Sequence, residues 1–276
     1  MTPQQFRAKG YLERIGYRGE TAPNLGTLEA LQSAHLDRIP FENLDVRLGR
    51  PVGLDLETLV AKLVDRRRGG YCFEQNTLFA AALRTFGFAV ETLEARVRPP
   101  GATSTLPRTH MLLRVQLEDR GWLADVGFGG DGPLLPVPLD GAVSEQGDAG
   151  YRVVTEDSGH GVLRRRWRDS WHDLYAFSLS PALPVDFEVA HYFTSTHPES
   201  IFVRTLTVQR SEPETRHILR GRTYTMRRGE EETQREVADD ELPGLLAERF
   251  GLEVPAADVI RALGSREADQ AANRGR

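Results

Sequence analysis

The sequence has 276 residues, a length that usually folds into two or three domains and can bury a large hydrophobic core. Hydrophobic residues make up 39% and charged residues 27%, proportions typical of a soluble globular protein. The 40 aspartate and glutamate residues outnumber the 35 lysine and arginine residues, so the formal net charge is −5. That balance argues against sequence-independent binding to nucleic acid or to an anionic membrane surface, because both require an excess of basic residues.

The sequence also indicates a cellular compartment. No apolar stretch reaches the roughly 18 residues of a membrane-spanning helix, since the best candidate, residues 78–90, is interrupted by Arg84 and Gly87. The N-terminus lacks the apolar core and cleavage site of a signal peptide. A single cysteine, Cys72, excludes an internal disulfide. We therefore expect a protein of the reducing cytoplasm.

Residues 1–86 are predicted to be helical, because their apolar side chains recur at intervals of three and four residues. A first helix lies around Tyr11, and a second follows the N-cap candidate Thr27. A third helix follows Asp55 and ends before a pair of glycines, and a fourth begins near Cys72. This part of the chain is therefore expected to form a helical bundle.

From Phe88 onward the apolar period changes to two, which predicts antiparallel strands over most of residues 88–190. The clearest pair is a half-buried strand at 111–117 and a return strand at 122–126, joined by a turn at 118–121. Further strands are separated by loops rich in glycine and aspartate. A sheet of this kind can close into a barrel.

The C-terminal part of the chain mixes element types. Strands are predicted at 202–209 and 223–228, a helix at 240–250 and a short helix at 256–264. The predicted order along the chain is therefore a helical bundle, a sheet and a smaller α/β part.

The most informative stretch is the segment RGGYCFEQN at residues 68–76. Two glycines end one helix, and Cys72 lies in the first turn of the next. At that position the unpaired backbone N–H groups and the helix dipole favour an anion, and hence a reactive thiolate. A buried cysteine that acts only as a small apolar side chain is the alternative. The sequence pattern alone leaves both interpretations open.

A thiol nucleophile needs a base, and the base needs an acceptor that orients it. The candidates are His110, at the start of a strand, and Asp125, a carboxylate flanked by apolar residues on the return strand. A four-residue turn between the strands sets Asp125 opposite Arg114, so an ion pair between Asp125 and Arg114 is an alternative. A bulge or an offset strand is needed to bring Asp125 to His110.

Three further features compete with this interpretation or extend it. His191 and His197 are additional candidates for the base. The glycines around Phe128, in the segment DVGFGG, can direct backbone N–H groups towards a phosphate, although an ordinary loop is the commoner structure for such a segment. No spacing of cysteine and histidine resembles a zinc site, so no metal is expected.

Six features of the sequence form one collinear pattern from about residue 11 to 210. They are YLERIGY at 11–17, RIPFEN at 38–43, RRGGYCFEQN at 67–76, His110, DVGFG at 125–129 and STHP at 195–198. Together they resemble the arylamine N-acetyltransferase family, and the match is most specific around the cysteine. One departure lies at His191, where the family pattern implies an asparagine.

The resemblance implies an α+β fold in three parts with a papain-like Cys-His-Asp core. The parts are an N-terminal helical bundle at 1–86 that carries the nucleophile, a central antiparallel β-barrel at 87–190 that carries the histidine and aspartate, and a C-terminal α/β lid at 191–276. The implied catalytic triad is Cys72, His110 and Asp125, and a papain-like arrangement supplies the offset that a simple hairpin lacks.

The resemblance further implies transfer of an acetyl group from acetyl-coenzyme A to an arylamine, arylhydroxylamine or arylhydrazine. The mechanism is ping-pong through an acetyl-Cys72 intermediate, with acetyl-coenzyme A as co-substrate and no permanently bound cofactor. The implied coenzyme contacts are Thr109, Gly127, Gly129 and Gly130, and the implied acceptor cleft is lined by Phe41, Phe128 and Phe202.

Three other functions are compatible with the same residues. A macrolactam-forming amide synthase has the same fold and triad, and a transglutaminase-like thiol hydrolase shares the Cys-His-Asp order. A non-catalytic binding module would need only a structural Cys72. The sequence identifies no natural acceptor amine, and it is compatible with a homo-oligomer.

Overall fold

The computed structural model describes residues 8–99 and 105–264. Its N-terminal part is helical, as predicted. Helix α2 begins after the N-cap Asn24 rather than at Thr27, because the Asn24 side chain accepts a hydrogen bond from the Thr27 backbone. Asp55 caps α4 in the same way, and α4 continues as a π-helix over Val60–Asp65. The helices are α1 (Ala8–Ile15), α2 (Leu25–Arg38), α3 (Leu44–Arg47), α4 (Leu56–Leu59) and α5 (Cys72–Thr85), and a short strand, β1 (Phe41–Glu42), lies between α2 and α3.

In the described part of the middle of the chain, eight strands form an antiparallel sheet. Their order in the sheet is β5-β4-β3-β2-β9-β8-β7-β6, and the edge strand β5 packs against β7, so the sheet forms a nearly closed barrel. The strands are β2 (Ala89–Val97), β3 (His110–Leu117), β4 (Arg120–Ala124), β5 (Val137–Pro138), β6 (Ser144–Gln146), β7 (Ala149–Thr155), β8 (Gly161–Trp167) and β9 (Ser170–Phe177).

The turn between β3 and β4 differs from the predicted one. It has two loop residues instead of four, and Leu117 pairs directly with Arg120. Glu118 adopts a left-handed backbone conformation with φ of 50°, which makes this tight connection possible. The register therefore shifts by two residues, and its continuation places Asp125 opposite Leu112, diagonal to His110 rather than opposite Arg114.

The C-terminal part, as far as the structure describes it to residue 264, contains a second sheet and four helices. Its sheet order is β1-β10-β11-β12-β13, so the N-terminal strand β1 completes it. Helix α6 was not predicted, and residues 202–204 lie in a helix instead of the predicted strand. The elements are α6 (Pro184–Thr196), α7 (Ile201–Arg204), β10 (Thr207–Ser211), β11 (Thr215–Arg220), β12 (Thr223–Arg228), β13 (Glu231–Glu236), α8 (Leu242–Phe250) and α9 (Ala256–Leu263).

Three buried apolar groups hold these parts together. The largest joins the N-terminal helices to one face of the barrel and includes Cys72 and Phe187. A second lies inside the barrel around Leu112 and Tyr175, and a third lies between the C-terminal sheet and helices α8 and α9. The predicted α+β architecture is therefore confirmed, whereas a division of the chain at residues 86 and 190 stays a prediction. Among the described residues, no helix combines the length and apolar character needed to span a membrane.

Candidate active site

The single cysteine lies where the first turn of α5 meets the barrel. Cys72 is the first residue of α5 and is only 2% exposed. In its thiol form the side chain donates a hydrogen bond to the backbone carbonyl of Thr109, with 3.5 Å between sulfur and oxygen. The preceding backbone N–H, that of Tyr71, donates to the Glu74 carboxylate at 3.1 Å. These contacts fix the start of the helix, and with it the position of the sulfur.

A buried ionic cluster anchors this helix start to the rest of the helical part. Glu74 accepts a hydrogen bond from Lys62 at 2.7 Å, and Lys62 also contacts Asp45 at 2.8 Å. Arg68 contacts Glu42 at 2.7 Å. Burial raises the pKa of Glu74 to about 7, against the opposing effect of the Lys62 charge. Sequence analysis missed this cluster, because its members come from β1, α3, the π-helix, the loop before α5 and α5 itself.

His110 lies against both Cys72 and Asp125. Its Nε2 is 2.7 Å from Asp125 Oδ2, and the ring also hydrogen-bonds the Cys72 side chain, which leaves Nδ1 as the nitrogen that meets the sulfur. Burial favours the neutral ring, but the Asp125 charge and the hydrogen bonds to Asp125 and Cys72 outweigh it and raise the pKa of His110 to about 10. The imidazole is therefore protonated at neutral pH, next to the sulfur.

Asp125 is buried and accepts four hydrogen bonds. Besides His110, the donors are the Tyr175 hydroxyl at 2.9 Å, Asn76 Nδ2 at 3.0 Å and the Gly127 backbone N–H at 2.8 Å. Burial alone would raise the pKa of this carboxyl, but the His110 charge and these donors hold it below its usual range. The carboxylate is therefore ionised and fully satisfied. It can hold the imidazole and stabilise its positive charge.

Two of these donors were not identified from the sequence. Asn76 lies one helical turn after Cys72, and its amide also donates to the Met111 carbonyl at 2.7 Å and accepts from the Val126 backbone at 3.1 Å. It therefore ties α5 to both strands of the hairpin. A polar residue four positions after the cysteine, on the same face of the helix, is the signal by which Asn76 could have been found. For Tyr175, on β9, the sequence carries no comparable signal.

The structure excludes the ion pair between Asp125 and Arg114. Arg114 pairs with Glu91 on the neighbouring strand β2, and both side chains are partly exposed. Asp125 instead lies in the interior with the four donors described above. The short turn between β3 and β4 thus brings together the three residues that the sequence predicted as nucleophile, base and orienting group.

The glycines after Asp125 have contacts of their own in the protein. The Gly127 N–H donates to Asp125, and the Gly130 N–H donates to the Gln209 side chain. Gly129 has φ of 88°, a conformation that favours glycine. Two of the three glycine N–H groups that were expected to face a phosphate are therefore used internally. Thr109, the fourth expected coenzyme contact, lies next to the sulfur through its carbonyl.

Gly127 packs so closely against Cys72 that a side chain cannot fit. A Cβ atom at this position would lie 2.6 Å from Cys72 Cα and 2.7 Å from Asn76 Nδ2.

We expect Gly127→Ala to lower the free energy of unfolding by about 1–3 kcal/mol, because overpacking forces the helix start away from the loop. Urea unfolding measures the effect. Gly244→Ala is the matched control: no atom lies within 4 Å of its Cβ position in α8, so the exchange should stabilise slightly. Equal midpoints for Gly127→Ala and the wild type would contradict the close packing.

The three phenylalanines predicted to line an acceptor cleft fall into two groups. Phe41 and Phe202 lie next to each other, with 5.8 Å between ring centroids, and Phe202 stacks on Tyr71 at 5.6 Å. Phe128 packs instead against His110, with 5.3 Å between centroids. Phe128 therefore contacts the triad directly, at the His110 ring. Phe202 reaches it through Tyr71, the residue before Cys72, and Phe41 contacts Phe202.

The other candidate histidines are not placed to act on Cys72 as a base. His191 accepts a hydrogen bond from the Tyr71 hydroxyl, and His197 stacks on Phe193. Over residues 8–99 and 105–264, no group of three or more histidine, cysteine, aspartate or glutamate side chains is arranged to hold a metal ion. Among the histidines considered, the hydrogen bond to the thiol belongs to His110.

The protonated imidazole leads to a prediction about thiol reactivity. Because His110 keeps its proton until the pH approaches about 10, its positive charge faces the sulfur throughout the neutral range and favours loss of the thiol proton. We expect iodoacetamide to alkylate Cys72 rapidly at pH 7, with the rate measured by intact mass. In His110→Ala, which lacks this positive charge, alkylation at pH 7 should be much slower. Equal rates in the wild type and His110→Ala would contradict the ion pair.

Comparison of the sequence and of the whole structure with known proteins identifies the family of this chain. A family model described as N-acetyltransferase matches residues 24–259. The arylamine N-acetyltransferase of Mycolicibacterium smegmatis is 42% identical over 252 residues, which cover 89% of this chain and 91% of that protein. The crystal structure of Nocardia farcinica arylamine N-acetyltransferase matches with a TM-score of 0.88 and 41% identity, covering 98% and 97% of the two chains. The structure of Mycobacterium marinum arylamine N-acetyltransferase in complex with CoA matches with a TM-score of 0.87 and 36% identity, covering 93% and 98%. The resemblance seen in the sequence is confirmed, and the chain belongs to the arylamine N-acetyltransferase family.

Proposed function

We propose that this protein transfers an acetyl group from acetyl-coenzyme A to an aromatic amine, hydroxylamine or hydrazine, with Cys72 as the nucleophile. The observation that carries the proposal is the buried chain of contacts from the Cys72 sulfur through His110 to Asp125. A protonated imidazole beside a thiol at a helix start is the arrangement that generates a thiolate at neutral pH. Membership of the family supports the substrate classes, and a related protein has been solved with CoA.

In the first half of the reaction, the Cys72 thiolate attacks the thioester carbonyl of acetyl-coenzyme A. A carbon–sulfur bond forms to Cys72, and the tetrahedral intermediate collapses by breaking the bond to the coenzyme sulfur. His110 gives its proton to the departing thiolate, so free coenzyme A leaves as a thiol. Asp125 keeps the ring in place and stabilises its charge before the transfer.

In the second half, the amine nitrogen attacks the acetyl-Cys72 carbonyl. His110, now neutral, takes the proton from the attacking nitrogen, and the bond to the Cys72 sulfur breaks. The products are the acetylated amine and the original pair of thiolate and imidazolium. Splitting the transfer in this way needs only one substrate at the sulfur at a time, which is the logic of a ping-pong mechanism.

The surroundings of Cys72 support an aromatic acceptor. Phe41 and Phe202 form an apolar wall next to Tyr71, and Phe128 packs on the other reacting group, His110. An apolar, aromatic wall suits a flat amine and keeps water from the acyl-enzyme. We assign the coenzyme contacts to Thr109, Gly127, Gly129 and Gly130 as a hypothesis that follows from the family resemblance alone.

The test is the intact mass of the protein after mixing with acetyl-coenzyme A, before and after addition of an aromatic amine such as aniline. The proposal requires one added acetyl group on Cys72, which the amine then removes with formation of acetanilide. Rapid loss of the acetyl group without amine would instead identify a thiol hydrolase. No acetyl uptake, together with acylation by a carrier-bound chain, would identify an amide synthase. A thiol that reacts with neither donor would indicate a binding module.

We also propose that the protein works in the reducing cytoplasm, since its only cysteine must stay a free thiol to act as the nucleophile. Its state of oligomerisation, for which a homo-oligomer is one possibility, is a separate question that light scattering of the purified chain answers. Neither point affects the chemistry at Cys72.

A further inference from the structure

His191 lies behind the wall of the proposed acceptor cleft and makes two hydrogen bonds there. Its Nε2 is 2.9 Å from the Val52 carbonyl, and its Nδ1 is 2.6 Å from the Tyr71 hydroxyl. A carbonyl can only accept, so Nε2 carries the ring proton and Nδ1 is left to accept from Tyr71. The backbone of Val52 therefore sets the tautomer with which His191 holds the Tyr71 hydroxyl.

The Tyr71 ring links His191 to the wall itself. It stacks on the His191 ring with 5.9 Å between centroids and on the Phe202 ring with 5.6 Å, and Phe202 in turn contacts Phe41. Tyr71 is fully buried, whereas Phe202 is partly exposed. A shift of the Tyr71 ring would therefore move the face of Phe202 that a flat acceptor meets.

The backbone of Tyr71 is held independently of its hydroxyl. Its N–H donates to Glu74, which is tied to Lys62, and this contact fixes the start of α5 and the Cys72 sulfur. The hydroxyl end is held by helix α6, through His191 and through a hydrogen bond with Ser195. Losing His191 should therefore disturb the aromatic wall much more than the nucleophile.

We propose that His191 is a positioning residue for the acceptor. By accepting a hydrogen bond from the Tyr71 hydroxyl, it fixes the rings of Tyr71, Phe202 and Phe41 against which the aromatic amine binds. This inference rests on the proposed function, because it assumes that Phe41 and Phe202 line the acceptor cleft. It assigns a role to a position at which the sequence analysis found a departure from the family pattern. His191 itself touches neither Cys72 nor His110 in the contacts that the structure gives.

The test separates the two half-reactions. The rate of Cys72 acetylation by acetyl-coenzyme A is followed by intact mass, and KM and kcat for aniline are measured in turnover. We expect His191→Leu to raise the KM for aniline about tenfold, the effect of one buried hydrogen bond, and to leave the acetylation rate within about twofold. His191→Asn should restore most of the loss, since its Oδ1 takes the place of Nδ1. His197→Leu, the same exchange at the C-cap residue that follows α6, should behave like the wild type.

A double-mutant cycle with Tyr71→Phe checks that His191 acts through the hydroxyl. Tyr71→Phe should raise the KM to a similar extent, and adding His191→Leu to it should change little further. Full additivity would overturn the proposal, as would an unchanged KM in His191→Leu. An equal slowing of Cys72 acetylation would also overturn it, because the residue would then support the helix start. A wild-type protein that takes up no acetyl group would refute the proposed function, and with it the role of His191 in positioning the acceptor.

Discussion

Cys72→Ser is expected to retain the fold and to lose acetyl transfer almost completely. Serine is nearly isosteric with cysteine, and its hydroxyl can donate to the Thr109 carbonyl as the thiol does. The imidazolium of His110 can stabilise a thiolate, but an alkoxide is far harder to generate. We expect turnover of acetyl-coenzyme A and aniline to fall roughly 10⁴- to 10⁶-fold, the range found when a catalytic nucleophile is removed.

Two measurements separate this loss from unfolding. The thermal unfolding midpoint of Cys72→Ser should stay close to that of the wild type, since the side chain is buried among the same neighbours. Intact mass should show no acetyl adduct after mixing with acetyl-coenzyme A, because Cys72 is the only cysteine. Substantial turnover by a Cys72→Ser preparation free of wild-type protein would rule out the covalent mechanism.

The sequence contained the members of the triad, but it could not supply their contact. The glycine pair before Cys72 and the isolated carboxylate at Asp125 are local signals, and both predicted residues that the structure brings together around His110. The contact of Asp125 with His110 depends on a two-residue turn with Glu118 in a left-handed conformation. Tight turns of this kind usually carry glycine or asparagine, so the segment EDRG indicated a longer turn.

Helix α6 shows a different limit of sequence interpretation. Its inner face carries Phe187 and His191, and its outer face carries Val189 and Tyr192, which are 73% and 71% exposed. Apolar side chains on both faces conceal the 3.6-residue period by which a surface helix is recognised. The hydrogen bond from Tyr71 to His191 joins residues 120 positions apart, and no local pattern predicts such a contact.

Asp125→Asn is expected to cost about 10⁴-fold in turnover, as in other enzymes where an aspartate orients a catalytic histidine. All four partners of Asp125 are donors, and an amide offers only one acceptor oxygen. If its NH₂ group faces Gly127 and Asn76, donors meet donors. If the NH₂ group faces His110 instead, then His110 Nε2 must accept a hydrogen bond from it. The ring proton then moves to Nδ1, the nitrogen that meets Cys72. In that tautomer the neutral ring can no longer take a proton from the amine.

The pH dependence gives this prediction a second readout. The Asp125 charge is the main influence that raises the pKa of His110 to about 10 against burial, so its removal lowers that pKa. Less imidazolium then faces the sulfur at pH 7, and alkylation of Cys72 by iodoacetamide at that pH should be slower than in the wild type. Arg114→Leu is the matched control on the same hairpin, because it breaks only the partly exposed pair with Glu91 and should keep both turnover and alkylation rate. Equal damage from the two exchanges would show that Asp125 acts through the stability of the hairpin, and not by holding the charge of the imidazole.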